Sequence, residues 1–164
     1  MMIGSEGERF ALRVMEEVRR WPGVEMRPHA SATNPGDDDG IEFRLNGRQI
    51  GHVHQDCSLH LPLTKALKES VVREQLAEPL AFAPRSGWVS FTAFSLDAAD
   101  RAIWLLRLNY VRLRRQRLTP HAAASSELLQ LHEAKLGHMS PDVTKVLRST
   151  QVRSRPRPLP SLEA

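Results

Sequence analysis

The chain has one cysteine and one tyrosine, and no apolar run approaches membrane length. A lone Cys57 excludes an internal disulfide and any cysteine-rich zinc site. Its place on the apolar side of a strand pattern predicts a buried, inert thiol. The longest apolar runs, such as Ala102 to Leu106, fall well short of the roughly 20 residues that a membrane span requires. The first residues show no basic segment followed by an apolar one, so no export signal is read and a cytoplasmic location is expected. Gly-rich phosphate loops, the G-x-G-x-x-G fingerprint and the G-x-S-x-G elbow are all missing, which removes support for nucleotide and hydrolase chemistry. No internal repeat is visible.

What is present suits one domain with a real core plus an appendage: 164 residues, 41% of them hydrophobic. Charge is divided unevenly. Residues 1–100 hold 11 Lys+Arg against 15 Asp+Glu, a balance of −4, while 101–164 hold 12 against 4, a balance of +8. The basic C-terminal part suits an anionic partner, whether nucleic acid or an acidic protein.

The densest stretch runs from Gly40 to Leu63. Ile41, Phe43 and Leu45 alternate with Glu42 and Arg44, and Asn46-Gly47 is a strong two-residue hairpin signal. Read as one continuous second arm, period two puts Ile50, His52, His54, Asp56, Ser58 and His60 on one face and Val53, Cys57, Leu59 and Leu61 on the other. Three imidazoles and a carboxylate then look the same way, partly accessible in a shallow polar groove. The residues leave three readings open: a polar sheet surface, a metal site, or a metal-free acid/base or ligand-contact site built on His52, His54 and Asp56. No cofactor is expected, and no metal; if one binds, His52 and His54 would hold it, because H-x-H on a strand points two imidazoles the same way. His60 is eight residues, roughly 26 Å, from His52 along an unbroken strand, so it joins them only if the strand bends. His60, Trp88 and Arg44 are the candidate ligand contacts.

Elsewhere, helices are predicted over 5–21, 64–76 and 96–115 from apolar spacing, caps at Ser5, Thr64 and Ser95, and breakers at Pro22-Gly23 and Pro120. The third has so wide an apolar stripe that it needs cover from the sheet and from something more, either the first helix or a second copy of the chain in a homodimer. Val24 to His29 and Trp88 to Phe94 read as strands, with Trp88, Phe91 and Phe94 expected mainly in the core. Ser31 to Gly40 reads as a solvated acidic loop rather than a calcium loop, since its aspartates are adjacent and not alternate. Arg107, Arg112, Arg114, Arg115 and Arg117 end the long helix and are the candidate contacts for nucleic acid or an acidic protein, although no recognition motif accompanies them. His132-Glu133 is not half of a zinc-protease motif, because Leu136 stands where the second ligand belongs. The expected fold is α+β, a mostly antiparallel sheet of about four to six strands with three helices packed on one face. Domain boundaries are read as 1–118 for the α+β domain, 119–150 for a helical appendage, and 151–164 for a disordered Pro- and Arg-rich tail.

The order of W-P-G-V-E-M-R-P-H (Trp21 to His29), G-I-E-F-R-L-N-G-R-Q-I-G-H-V-H (Gly40 to His54), L-H-L-P-L (Leu59 to Leu63), A-E-P (Ala77 to Pro79), S-G-W-V-S-F (Ser86 to Phe91) and L-L-R-L-N-Y (Leu105 to Tyr110) resembles the luciferase-like domain family of bacteria and fungi. The resemblance covers about residues 5–115. It implies a small oxygenated aromatic ligand of the hispidin type and oxidation by oxygen with neither metal nor flavin supplied, and it places His52, His54 and Asp56 on the family's G-H-x-H-x-D segment. The family more often reads L-D-L-P-F where this chain has Leu59-His60-Leu61-Pro62-Leu63, and often has His after A-E-P where this chain has Leu80 and Ala81. The competing implications are a non-catalytic binding module and a structural, dimerising domain.

Overall fold

The structure, a computed structural model, describes residues 5–31, 36 and 38–149; the 151–164 tail lies outside them. Ser5 caps α1 (Glu6–Val18) in a reciprocal capping box with Glu8. Three strands follow as a meander, β1 (Val24–Ala30), β2 (Asp38–Leu45) and β3 (Arg48–His54), with Asn46 and Gly47 at φ 51° and 78° forming the turn between β2 and β3. Two successive positive φ values mark the hairpin turn whose twist matches the strands, and Asn-Gly tolerates them best. Then come β4 (Ser58–Pro62), α2 (Lys65–Arg73), the two-residue β5 (Glu78–Pro79), β6 (Trp88–Thr92) and the long α3 (Leu96–Arg115). Helices α4 (Pro120–Ser125), α5 (Glu127–Leu136) and α6 (Pro141–Arg148) end the described chain.

The six strands form one antiparallel sheet in the order β1-β2-β3-β4-β6-β5. This is the α+β fold expected from the sequence. Phe43, Val53, Leu59, Leu61 and Val89 turn one face inward onto α1 and α3. Helix α3 buries residues nearly all round its axis because α1, α5 and the sheet all pack on it. The extra cover that the wide stripe demanded is therefore supplied within the chain. The helices beyond Pro120 pack back onto the same core: Leu129 and Leu136 of α5 and Val143 and Leu147 of α6 are buried in it.

Two local breaks correct the sequence reading of the second hairpin arm. It is two strands and not one: β3 stops at His54, Gln55 to Cys57 turn with Cys57 at φ 61°, and β4 returns beside β3. Within β3 the register shifts, Phe43 pairing with Gly51 and Arg44 with Gln49, which leaves Ile50 as a bulge. The bulge takes Ile50 off the histidine face and into the core, where it is fully buried with Cys57. Gly51 follows it inward, and a Cβ there would meet Leu106 Cδ2 of α3 at 2.9 Å and the His60 carbonyl oxygen at 3.0 Å, so a side chain would have to push Leu106 aside and crowd β4.

Further corrections concern loops and aromatics. Strand β2 begins at Asp38, so Asp38 and Asp39 belong to the sheet and not to a solvated loop. Phe94 lies past the end of β6 and is 82% exposed, whereas Phe91 packs on the core as expected.

Candidate functional site

Strand pairing assembles the site on the sheet face that the helices leave bare. Antiparallel register sets His52 directly opposite His60 of β4 and Glu42 of β2, while His54 sits opposite Gly40, which in turn pairs with His29 of β1. Partners in register share a face. The result is four imidazoles from three strands within one patch. His29 stacks on His52 with centroids 3.6 Å apart and 12° between planes. His52, His54 and His60 stand edge-on to one another, their centroids forming a near-equilateral triangle of 5.0, 5.0 and 4.9 Å. His60 needed no bend to reach His52, because the hairpin brings it back across the ladder.

Hydrogen bonds fix the rings. Gln49 Nε2 is 2.8 Å from His52 Nδ1, and His52 Nε2 is 3.1 Å from His60 Nδ1. His54 Nδ1 lies 3.1 Å from the Asp39 carbonyl oxygen. A carbonyl only accepts, so this nitrogen carries the proton and His54 Nε2 keeps its lone pair, directed 3.4 Å from His60 Nδ1. Two acidic side chains border the patch. Asp39 Oδ1 is buried without a hydrogen-bond partner, 3.6 Å from His54 Nδ1 and 3.8 Å from His29 Nε2; Glu42 Oε2 is 3.8 Å from His29 Nδ1.

The environment sets the charge of the cluster. Burial, and then positive charge on His29, His54 and His60, drive the His52 pKa down to about 3. Burial followed by charge on His54 and His29 also lowers His60, against a smaller upward pull from Asp56 and Asp39. At neutral pH these rings are neutral bases with lone pairs to offer.

The sequence-predicted residues divide clearly. His52, His54 and His60 come together, but His52 is buried, only 5% exposed, and not partly accessible. Trp88 flanks His52 at 5.9 Å between centroids. Asp56 does not join them: it lies in the turn after β3, where its carboxylate accepts from the Ser58 amide at 2.9 Å and the Ser58 hydroxyl at 2.7 Å. That turn breaks the period-two register which had placed it on the face. Burial raises the Asp56 pKa, but the bonds from Ser58 outweigh it and hold the carboxyl below its ordinary range. Arg44 is committed to Glu42 and to the Gly47 carbonyl, at 2.9 Å from the latter. Cys57 is buried, and burial together with Asp56 pushes its thiol up to about 11, as an inert thiol should be.

The five arginines do not form an open phosphate-binding patch. Arg107 is 5% exposed and donates to Glu17 at 2.8 Å and to His132 at 2.9 Å. Arg112, 4% exposed, donates to Asn109 Oδ1 at 2.8 Å and the Pro62 carbonyl at 3.2 Å. Arg114 bonds the Pro22 carbonyl and the Tyr110 hydroxyl, Arg115 bonds Glu133, and the more exposed Arg117 bonds the Asn46 carbonyl at 3.1 Å. Most of these five side chains fasten the fold internally.

Sequence reasoning missed His29, Asp39, Gln49 and Phe82. His29 was legible as the end of a strand, but nothing local says which strand it pairs with. Phe82, in the loop before β6, is 76% exposed and stands edge-on to His60 at 6.2 Å between centroids. Beside the patch, a groove of about 670 Å³ is lined by Arg48, Gln49, Lys65, Trp88, Arg112 and Gln116.

Compared with known protein families, residues 47–109 fit the family model described as Luciferase domain. That stretch, under half the chain, runs from the hairpin turn into α3 and contains His52, His54, His60 and Trp88, consistent with a luciferase-like domain. No curated protein and no solved structure matches the chain.

Proposed function

We propose that the bare sheet face binds a small oxygenated aromatic molecule. The observation that carries this reading is the pairing of a buried and a half-buried imidazole with aromatic side chains, Trp88 beside His52 and Phe82 beside His60. Imidazole nitrogens recognise hydroxyl and carbonyl groups, and the two aromatic side chains offer edges and faces for a ring. The exposed Arg48 and Lys65 in the adjoining groove suit a molecule with an acidic end. Oxidation of the bound molecule is the reaction class that the resemblance suggests. In that chemistry His52 would orient the ligand and not relay protons, because a ring with a pKa of about 3 is a poor base at neutral pH.

The test is a titration with hydroxylated aromatic acids and hispidin-type compounds, followed by tryptophan fluorescence and by imidazole NMR resonances. Binding should quench fluorescence in the native chain, much less in Trp88→Phe, and shift the His54 and His60 resonances. If the whole panel leaves these resonances in place, the reading is wrong.

A further inference from the structure

We propose that the histidine cluster is a binding site for one divalent first-row transition-metal ion, held by His52 and His54 with His60 and His29 as the flanking ligands. This goes beyond the small-molecule reading and does not depend on it.

The geometry argues from two triads that share the His52–His54 edge. In the first, His52 Nε2 and His54 Nε2 lie 3.1 and 3.4 Å from His60 Nδ1. Metal–nitrogen bonds of about 2.0–2.1 Å at tetrahedral angles put ligand nitrogens about 3.4 Å apart. The same bond lengths separate the centroids of ligating imidazoles by about 5.2 Å, and the three rings here are 5.0, 5.0 and 4.9 Å apart. In the second triad, His29, His52 and His54 each offer a ring nitrogen within 4.8 Å of the others. Rotation of His29 out of its stack on His52, where the ring centroids are 3.6 Å apart, would bring His29, His52 and His54 onto one ion, with His60 alongside.

The surroundings have the character of a metal's outer shell. A ligating histidine commonly donates its second nitrogen to a carbonyl, as His54 Nδ1 does to Asp39, leaving the other nitrogen free to bind. Gln49 Nε2 donates to His52 Nδ1, so His52 Nε2 carries the proton it gives to His60; turning the Gln49 amide so that its oxygen accepts from Nδ1 would free Nε2 for an ion. Asp39 Oδ1 is a buried carboxylate oxygen with no hydrogen-bond partner, and a nearby cation would offset that cost. Its distances of 3.6 and 3.8 Å from His54 and His29 place it at the rim of the ligand set. Nitrogen-only ligands select ions of the zinc, copper, nickel or iron class over magnesium or calcium, which prefer oxygen.

A structural explanation competes: the chain from Gln49 through His52 to His60 could be a hydrogen-bonded polar plug. It accounts for the His52–His60 bond. It does not account for His54 Nε2 and His52 Nε2 converging on the same His60 nitrogen, since that nitrogen can serve only one of them as donor or acceptor at a time.

The experiment uses the full chain, purified without a polyhistidine tag, stripped with chelator and titrated with Zn²⁺ and Co²⁺. The expected result is one equivalent bound per chain, with the intense visible absorption of tetrahedral Co²⁺. Binding should be abolished in His52→Ala and in His54→Ala, and weakened at least about 10-fold in His60→Ala, His29→Ala and Gln49→Leu. His54 is partly exposed, so His54→Ala is the variant least prone to unfold, and circular dichroism confirms its fold. Failure of Zn²⁺ and Co²⁺ to bind the native chain overturns the proposal, as does binding that survives in a folded His54→Ala. Repeating the aromatic titration with chelator present keeps the two readings apart: ligand shifts that persist without metal preserve the small-molecule site even if the metal site fails.

Discussion

The side-chain amide of Asn109, fully buried in α3, donates to the backbone carbonyl of Ile50 at 2.6 Å. Ile50 is the bulge that resets β3, so the long helix fastens the strand at the point where its register is decided. The same amide reaches the Pro62 carbonyl at 3.3 Å, and Asn109 Oδ1 accepts from Arg112 Nε at 2.8 Å. One polar knot thus ties α3 to the end of β4 and to the bulge two residues before His52.

Replacing Asn109 with Ala should leave the Ile50 carbonyl and the Arg112 guanidinium short of partners in the interior. Each unsatisfied group costs about 1–3 kcal/mol. Urea unfolding should show a loss of that order, and the His52 imidazole resonance should move although the residue lies outside the patch. An unchanged midpoint would mean that water or a rearranged Arg112 takes over the bonds.

Leu106 is fully buried where α3 crosses Gly51. Leu106→Asp puts an unpaired carboxylate there, which should cost more than about 4 kcal/mol and leave no cooperative thermal transition. An undiminished melting temperature would show that α3 does not pack as described.

Arg107 joins α3 to α1 through Glu17, to α5 through His132, and lies over the Trp21 ring at 4.6 Å. Burial works to raise the Glu17 carboxyl, but bonds from Trp21 and Arg107 outweigh it and hold its pKa below the ordinary value. Arg107 is buried but the Glu17 side chain is 35% exposed, so solvent screening puts the loss below the roughly 3–5 kcal/mol of a fully buried pair. Arg107→Ala should still destabilise measurably, since the contacts to His132 and Trp21 are lost as well, and added salt should weaken only the Glu17 part. Double-mutant analysis with Glu17→Gln should return a coupling well above that of the exposed Arg13–Asp100 pair.

His132 supplies a pH dependence. Burial, then positive charge on Arg107, Lys135 and Arg114, bring its pKa from 6.5 down to about 4, with Glu17 opposing. The unfolded chain therefore binds the proton more readily than the folded one. Stability is full above about pH 6.5 and falls as the pH drops toward 4, by at most about 1.4 kcal/mol per pH unit from this group. His132→Gln, which keeps an acceptor for Arg107, should flatten the slope in that window. His52 titrates in the same direction, so a smaller slope should persist; an unaltered slope would assign the acid sensitivity elsewhere.

Local chemistry in the sequence determined much of this protein. Caps and breakers marked α1, α2 and α3, with α3 at its observed limits, because helix ends satisfy their backbone groups with nearby side chains. Asn46-Gly47 marked the hairpin, and alternation marked the buried Phe43, Leu45, Leu59 and Leu61. His52, His54 and His60 were legible as one group because strand geometry has period two.

Only the tertiary structure decided the rest. Periodicity assumes an unbroken strand, so it could not see the bulge at Ile50 or the turn at Gln55 to Cys57, and it carried Asp56 onto a face that the chain leaves. His29 and Asp39 reach the patch through pairing across residues distant in sequence, which no local pattern encodes. The arginines looked like a surface patch because charge usually seeks water, yet the fold gives most of them partners on α1, α5 and the ends of strands. The composition of a segment fixes what its side chains can bond; which partners arrive is settled by the packing of the whole chain.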